Sequence, residues 1–302
     1  MTQDLPVSLA SACPACASAH ISVGPRSRER FQVVVQCRDC GAAWLRDVPQ
    51  QPATFSLDDV PEDYVDTWVD NKRESVGTHE WRRQLQRLRS EVHGVDAPRL
   101  YDVGAGDGEF LALARDEFGF TVGGNDVLEG AVLQAKKRYD VDLDLGDLGT
   151  LNLADAFDIV TMWCVLAHTS NGPGMVRDVE RVLKPGGVLF LQTPHRTFAD
   201  RVFIGAKRLS GGRLSRLSDR RLSLHHRFLH TPRSITALLE RSGFVDVEVR
   251  PAARYSLSSE AYLRSLRVPE WALASGAKAM DAVVSGPLAP RIVLDVWARK
   301  AG

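Results

Sequence analysis

Four of the five cysteines fall into two pairs that could bind a metal ion. The pairs are Cys13-Pro-Ala-Cys16 and Cys37-Arg-Asp-Cys40, with twenty residues between them. Each C-x-x-C turn places two sulfurs on one side, and two such turns supply the tetrahedral thiolate set that zinc prefers. Because the protein provides all four ligands, the predicted zinc ion has a structural role. Two disulfides or four uncommitted thiols are the alternatives. The fifth, Cys164, lies in an apolar run, which predicts a buried, inert thiol.

A second candidate site is a glycine-rich turn between a predicted strand and a predicted helix. The strand covers Arg99 to Val103, the turn reads Gly104-Ala-Gly106-Asp-Gly108, and the helix covers residues 109–118. Glycines let the backbone approach a ligand closely, and the helix N-terminus offers amide donors. A second strand, at residues 120–122, leads to Asp126, which places a carboxylate where a ribose diol could bind. A turn or helix cap is the alternative role for Asp126.

These segments resemble, in order, the motifs of class I S-adenosylmethionine-dependent methyltransferases. Residues 101–110 (YDVGAGDGEF) resemble the first motif of that family. The later motifs of the family are resembled, in order, by six segments of this chain. They are Asn125-Asp126, Gly146-Asp147-Leu148, and residues 157–168, 182–194, 231–244 and 291–300. The resemblance covers residues 97–302. It implies an α/β fold, a doubly wound, Rossmann-like, seven-stranded methyltransferase sheet that ends in an antiparallel strand, here with a small N-terminal zinc ribbon.

The resemblance also implies S-adenosyl-L-methionine as cofactor. Asp102 would organise loop amides or meet the methionine ammonium, Asp126 would bind the ribose, and Leu148 and Trp163 would flank the adenine. Core packing is the alternative for Trp163. The candidate cofactor-binding residues are Asp102, Gly104, Ala105, Gly106, Asp126, Asp147, Leu148 and Trp163.

Within the family, the sequence is most similar to small-molecule and saccharide methyltransferases, a subset in which a four-cysteine ribbon also occurs. In that subset the fourth strand ends in Glu-His and a late insertion carries His-x-x-x-x-Ser/Thr. Here Ala167 replaces the glutamate, His168 remains, and residues 226–231 (HRFLHT) match the insertion. His168 and His226 are the candidate catalytic bases, because histidine titrates in the range that deprotonation of an acceptor requires. A loop residue supporting the cofactor pocket is the alternative for His168.

The sequence therefore predicts methyl transfer to oxygen or carbon of a small molecule, such as a sugar or a natural-product intermediate. An RNA methyltransferase is one alternative, but the chain lacks an Asn/Asp-Pro-Pro-Tyr-like motif and carries 38 basic and 38 acidic residues. Nucleic acid is thus not the expected partner. The other alternative is a catalytically inactive, cofactor-binding scaffold, which the replacement at Ala167 would permit.

Three regions are expected to position these residues. They are a zinc ribbon at 1–50, an acidic linker with a lead-in helix at 51–96, and a methyltransferase domain at 97–302 with a basic lid insertion at about 196–230. In the lead-in segment, Trp81, Leu85, Leu88 and Val92 follow helical spacing. The composition, with 302 residues of which 44% are hydrophobic, excludes collagen-like, disordered and disulfide-scaffold proteins.

Residues 196–233 contain ten Lys or Arg against two Asp. This excess favours an anionic acceptor, such as a nucleotide-linked or lipid-phosphate-linked sugar, or an anionic membrane surface; a solvated basic surface is the alternative. The longest apolar run, Ile159 to Ala167, is too short to span a bilayer, and the first residues do not resemble a secretory signal. We therefore expect a cytoplasmic protein without a transmembrane segment.

Overall fold

A seven-stranded sheet forms the centre of the protein. The computed structural model describes residues 12–26, 33–46, 54–56, 78–223, 226–253, 259–265, 268–286 and 289–302. The strands of this sheet are β4 (Arg99–Val103), β5 (Thr121–Asp126), β6 (Asp144–Leu145), β7 (Phe157–Trp163), β8 (Leu183–Pro194), β10 (Phe244–Ala252) and β11 (Val293–Lys300). Their order is β10-β11-β8-β7-β4-β5-β6, and β11 is antiparallel to both neighbours while β4 to β8 pair in parallel. The predicted fold class is confirmed.

Helices cover the sheet and connect its strands. In chain order they are α1 (Thr78–Glu91), α2 (Glu109–Phe118), α3 (Glu129–Tyr139), α4 (Gly172–Val182), α5 (Phe198–Leu209), α6 (Arg216–Arg221), α7 (Pro232–Glu240), α8 (Ser259–Ser265) and α9 (Glu270–Val284). The helical spacing predicted for α1 is confirmed: Trp81, Leu85 and Leu88 are buried, and Trp81 packs edge-on against Phe110 of α2 at 5.8 Å. This contact fixes α1 against the helix that follows the glycine turn.

A second, smaller sheet joins the cysteine-bearing N-terminal segment to the rest of the chain. Its strands are β1 (Ile21–Arg26), β2 (Val33–Cys37), β3 (Ala43–Arg46) and β9 (Phe228–Leu229), in the order β1-β2-β3-β9 and antiparallel throughout. The fourth strand, β9, comes from the late insertion near the other end of the chain, which the sequence analysis did not foresee. The predicted boundary at residue 50 lies outside the described residues.

Several basic side chains of the insertion between β8 and α7 contact other residues of the protein. Lys207 and Asp219 form a buried ion pair at 2.8 Å, and the Arg221 guanidinium contacts the Asp200 carboxylate at 2.9 Å. The Arg208 guanidinium donates to the Ser22 hydroxyl of β1. The insertion is therefore not simply a solvated basic surface, because these charges tie α5 to α6 and to the small sheet. In the part of the chain that the structure describes, no helix is both long and apolar enough to cross a membrane.

Candidate active site and metal centre

The four predicted zinc ligands lie together. The Cys13 and Cys40 sulfurs are 3.6 Å apart, as are those of Cys16 and Cys37, and all four sulfurs fall within 4.8 Å of one another. A disulfide would need about 2.05 Å, whereas four thiolates bound to zinc at about 2.3 Å are roughly 3.8 Å apart. All five cysteines lie among the described residues, and all five are free. The donor set and its spacing fit a tetrahedral zinc ion.

Backbone hydrogen bonds favour the thiolate form of Cys37, one of these four thiols. Burial raises the pKa of the Cys37 thiol, but hydrogen bonds from the backbone N–H groups of Cys40 and Asp39 outweigh burial and bring the pKa to about 7. A thiolate is the form that binds metal. The turn that supplies these donors closes at Gly41, whose φ of +76° favours glycine.

The ribbon, defined here as residues 12–26 and 33–46, is hydrogen-bonded to the rest of the chain. The contacts come from the chain around β9, from the start of the insertion and from the C-terminal end of α7. They are Thr231 Oγ1 to the Cys40 carbonyl at 2.5 Å, the Arg196 guanidinium to Gly41 and Gln36, Leu45 N–H to the Arg227 carbonyl at 2.9 Å, and Arg241 to the Ala15 carbonyl at 3.2 Å. The ribbon thus docks directly on the segment that carries His226.

The glycine turn has the conformation expected of a close-approach loop. Gly104 and Gly106 have φ values of +68° and +63°, and a Cβ at Gly104 would lie 2.6 Å from a methyl group of Val165. The Asp126 carboxylate accepts hydrogen bonds from the N–H groups of Gly106 (2.8 Å) and Leu128 (2.9 Å). It is therefore held at the end of β5 beside the turn.

Three of the other predicted cofactor residues have mainly structural contacts. Asp102 is fully buried, and its Oδ1 accepts from the Thr161 hydroxyl at 2.6 Å, which links β4 to β7. Ala105 is also fully buried, within the core that packs under the turn. Asp147 is partly exposed and accepts from the Gly149 N–H at 2.9 Å, so it caps the short 3-10 turn that follows β6.

Leu148 and Trp163 do not line an open cleft in this structure. Leu148 is 1% exposed within the main hydrophobic core, and Trp163 is 8% exposed. The Trp163 ring contacts the rings of Phe110 (5.3 Å) and Phe190 (4.9 Å). Their burial favours core packing, the alternative that the sequence left open for Trp163, over a stacking surface for adenine.

In the described part of the acidic linker, Phe55 forms two hydrogen bonds with the chain just after Asp126. Phe55 N–H donates to the Val127 carbonyl at 2.7 Å, and Glu129 N–H donates to the Phe55 carbonyl at 3.0 Å. Residues 54–56 therefore run along the carboxyl edge of the sheet, beside the end of β5. Sequence reasoning missed this contact, because an isolated aromatic residue in a Pro-rich and acidic segment gives no periodic signal.

The two candidate bases are neighbours. The ring centroids of His168 and His226 are 5.0 Å apart, although the residues lie 58 positions apart in the sequence. His168 follows the end of β7 at the carboxyl edge of the parallel strands, where ligands bind in open α/β sheets. The same loop contains Val165, which packs on Gly104 of the glycine turn. The candidate bases and the candidate cofactor turn are thus adjacent.

Cys164 lies beside this pair, a position that the apolar run did not indicate. Its sulfur and one ring nitrogen of each histidine lie within 4.8 Å of one another. Burial raises the pKa of the Cys164 thiol to about 11, although the positive charge of Arg221 acts in the opposite direction. The spacing Cys164-x-x-x-His168 just after a strand was the available signal, and the apolar character of the run concealed it.

A backbone connection fixes His226 beside His168. Arg227 N–H donates to the Ala167 carbonyl at 2.8 Å, and the Arg227 carbonyl accepts from Leu45 N–H of β3. Arg227 therefore connects the ribbon to the loop after β7. His195 and His230 serve elsewhere: the Nδ1 atom of His195 lies 2.7 Å from the Arg291 carbonyl oxygen, and buried His230 contacts the Ser234 hydroxyl at 3.2 Å. His225 lies outside the described residues.

Comparison with known proteins identifies the family. Residues 72–249, more than half of the chain, match the family model described as a methyltransferase domain. The chain belongs to this methyltransferase domain family. The match begins just before α1 and ends within β10, so it includes the glycine turn, Asp126 and the cluster after β7.

Curated relatives of this methyltransferase domain cover part of the chain. A ubiquinone biosynthesis O-methyltransferase from Histophilus somni is 29% identical over 150 residues, which is 45% of this chain and 62% of the relative. An S-adenosylmethionine-dependent methyltransferase assigned in Mycolicibacterium smegmatis is 34% identical over 162 residues, 53% of this chain and 55% of the relative. The matched segments thus span about three-fifths or less of the length of these two relatives.

Solved structures share the fold at low sequence identity. A chain from the complex of the Haloferax volcanii Trm112 methyltransferase activator with a methyltransferase has a TM-score of 0.55 at 16% identity, covering 80% of this chain and all of that one. The S-adenosyl-L-methionine complex of phosphoethanolamine N-methyltransferase 2 from Haemonchus contortus has a TM-score of 0.54 at 19% identity, covering 82% of this chain and 59% of that one. These likenesses confirm the fold of the methyltransferase domain.

Proposed function

We propose that this chain transfers the methyl group of S-adenosyl-L-methionine to oxygen or carbon of a small-molecule acceptor. The observation that carries the proposal is the pairing of His168 with His226, with ring centroids 5.0 Å apart. The pair lies beside the glycine turn, at the edge of the sheet where open α/β folds bind ligands. An acceptor at this edge would meet groups able to take its proton.

The residues at the ends of β4 and β5 fit the cofactor. The glycine turn between β4 and α2 has a left-handed backbone at Gly104 and Gly106. The Asp126 carboxylate beside it, held by two backbone N–H groups, would accept from the ribose hydroxyls. When bound, the cofactor supplies an electrophilic methyl group on a sulfonium. The chain's own task is then to align the acceptor with that methyl group and to exclude water.

His168 and His226 would manage the proton of the acceptor. Methylation of a hydroxyl or of an acidic carbon releases one proton, and an imidazole near neutral pH can receive it as the new bond forms. The ubiquinone biosynthesis O-methyltransferase relative supports an oxygen acceptor. We propose a sugar or a natural-product intermediate as the acceptor class. An anionic acceptor is the less favoured variant, because Lys207, Arg208 and Arg221 already have partners within the protein.

The ribbon would hold one structural zinc ion through Cys13, Cys16, Cys37 and Cys40. Four protein ligands leave no open position, so the ion would stabilise the ribbon without taking part in the reaction. Through β3 and Arg227 the ribbon would also keep His226 beside His168. Ribbon and sheet would therefore form one functional unit.

The test is transfer of labelled methyl from S-adenosyl-L-methionine to a panel of phenols, sugars and acidic carbon compounds. On any acceptor that reacts, we expect His168→Ala and His226→Ala each to lower kcat by about 10²- to 10⁴-fold while cofactor affinity stays unchanged. His195→Ala, at the same sheet edge but outside the pair, is the matched control. Wild-type kcat in both variants would contradict the assignment of these histidines. Cofactor binding without transfer to any acceptor would instead support the inactive scaffold.

A further inference from the structure

Among the described residues, a second set of metal-ligating side chains converges besides the ribbon thiols. Cys164, His168 and His226 offer one sulfur and two ring nitrogens, all within 4.8 Å of one another. Zinc bonds of about 2.3 Å to sulfur and about 2.0 Å to nitrogen place tetrahedral ligand atoms roughly 3.3 to 3.6 Å apart. Shifts of about 1 Å, within the reach of side-chain rotation, would complete that geometry.

The backbone around the three residues is held in place. Cys164 has a φ of +64°, a left-handed conformation that costs a non-glycine residue of order 1 kcal/mol or more and persists where the surroundings impose it. Its N–H donates to the Gln192 carbonyl at 3.0 Å, which anchors the end of β7 to β8. The Arg227 N–H, bonded to the Ala167 carbonyl, anchors the residue next to His226 against the residue next to His168. A cysteine with a strained backbone beside two histidines is typical of a functional site.

The donor types select a class of metal. One thiolate with two imidazoles suits zinc, cobalt or another late first-row ion, whereas magnesium and calcium prefer oxygen ligands. Three protein ligands leave one position of a tetrahedron open, the arrangement of catalytic rather than structural zinc sites. Arg221, whose positive charge acts on the thiol, has its guanidinium bound by the Asp200 carboxylate and the His195 carbonyl. Its charge is thereby partly balanced.

We infer that Cys164, His168 and His226 bind a transition-metal ion, zinc in the first instance, with one coordination position open to the acceptor. A divalent cation lowers the pKa of a hydroxyl that it coordinates. With both imidazoles bound to the metal, the hydroxyl proton would leave to solvent instead of to a histidine. The oxygen–carbon bond would form as the sulfur–carbon bond breaks, and S-adenosylhomocysteine would be the leaving group. This role in the reaction rests on the proposed function, whereas the binding of the metal is independent of it.

The test is the zinc content of the full-length protein after equilibration with excess zinc and removal of unbound metal. We expect two zinc ions per chain in the wild type, and one in Cys164→Ala and in His226→Ala. His195→Asn, a histidine change at the same edge, is the control and should keep two. With cobalt in place of zinc, the site lost in Cys164→Ala should contribute about a quarter of the thiolate charge-transfer absorbance of the ribbon site, from one sulfur against four.

A wild-type content of one zinc per chain would overturn the inference, and this outcome needs no variant and no folding control. Two zinc ions that persist in both Cys164→Ala and His226→Ala would overturn it as well. Titration of the same samples with S-adenosyl-L-methionine separates the inference from the proposed function. Cofactor binding with one zinc ion leaves methyl transfer through a histidine base, whereas two zinc ions without cofactor binding leave a metal site and contradict the methyltransferase.

Discussion

The two cysteine-containing clusters of this protein differ in how completely they enclose a metal ion. In the ribbon, four thiols already lie with paired sulfurs 3.6 Å apart, and three of the four are buried. At the sheet edge, Cys164, His168 and His226 are each partly exposed and supply three ligands. A closed set can only stabilise the fold, whereas an incomplete set next to a cofactor turn leaves a position for an acceptor. The number of protein ligands therefore distinguishes the two clusters: four in the ribbon suit a structural role, and three at the sheet edge suit a role in the reaction.

The two clusters are also physically connected. The segment from His226 to Thr231 has a candidate catalytic histidine at one end and, at the other, a hydroxyl bonded to the Cys40 carbonyl. Between these ends, β9 pairs with β3 of the ribbon. The ribbon therefore stabilises the part of the insertion that positions His226. This connection gives the predictions below, which begin with the largest expected effect.

Loss of a ribbon ligand should have the largest effect on stability. We expect Cys37→Ser to lose the ribbon zinc and a large part of its contribution to folding, which for structural zinc is about 10 kcal/mol or more. Zinc content and thermal unfolding measure the result. Cys164→Ser is the matched control: it should keep the ribbon zinc and unfold within a few degrees of the wild type. Equal destabilisation by the two changes would contradict the claim that only the ribbon cluster has a structural role.

Lowering the pH should destabilise the protein at His230, a buried histidine in the segment that connects the two clusters. Burial lowers the pKa of His230 to about 3, whereas histidine in the unfolded chain titrates near 6.5. The folded pKa is depressed, so this contribution to stability is present above about pH 6.5 and is lost as the pH falls toward 3. Between pH 8 and pH 5 the free energy of unfolding should drop by about 2 kcal/mol from this group.

The measurement is chemical denaturation at several pH values. His230→Phe should have a flatter pH dependence than the wild type, because the substituted residue does not titrate. An unchanged pH slope in His230→Phe would show that His230 is not the group responsible.

Two matched helix caps test the same connection with a smaller expected effect. Thr231 caps α7 and also bonds to the Cys40 carbonyl, whereas Thr197 caps α5 through a hydrogen bond to the Asp200 N–H. Each change to Val should cost about 1 kcal/mol for the cap, and Thr231→Val about 1 kcal/mol more for the ribbon contact. On a reactive acceptor, Thr231→Val should also lower kcat more than Thr197→Val does. Equal effects would mean that the ribbon does not support the site.

Local patterns in the sequence predicted most of the fold. The glycine turn, the apolar strands and the helical spacing of Trp81, Leu85 and Leu88 each depend on neighbouring residues, and the observed bounds of β4 and α2 coincide with the expected ones. The paired C-x-x-C spacing likewise predicted that four thiols would meet, since each turn brings its own two sulfurs together.

Contacts between distant segments could not be predicted from local patterns in the sequence. The pairing of β3 with β9 joins residues more than 180 positions apart, and two-residue β9 is too short for a periodic pattern. The position of Cys164 beside His226 depends on that same pairing. Trp163 and Leu148 are buried among core residues, so their contact with the adenine stays a prediction of the motif pattern.

The central claim is that the ends of β4 and β5 bind S-adenosyl-L-methionine, and calorimetric titration tests it most directly. We expect one cofactor molecule to bind per chain, S-adenosylhomocysteine to compete for the same site, and NAD not to bind. Asp126→Asn should weaken cofactor binding by about 10- to 100-fold, through loss of charge-assisted hydrogen bonds. Asp116→Asn, at an exposed acid of α2, should not. Absence of cofactor binding by the folded, zinc-loaded chain, or equal affinity in Asp126→Asn, would contradict the account.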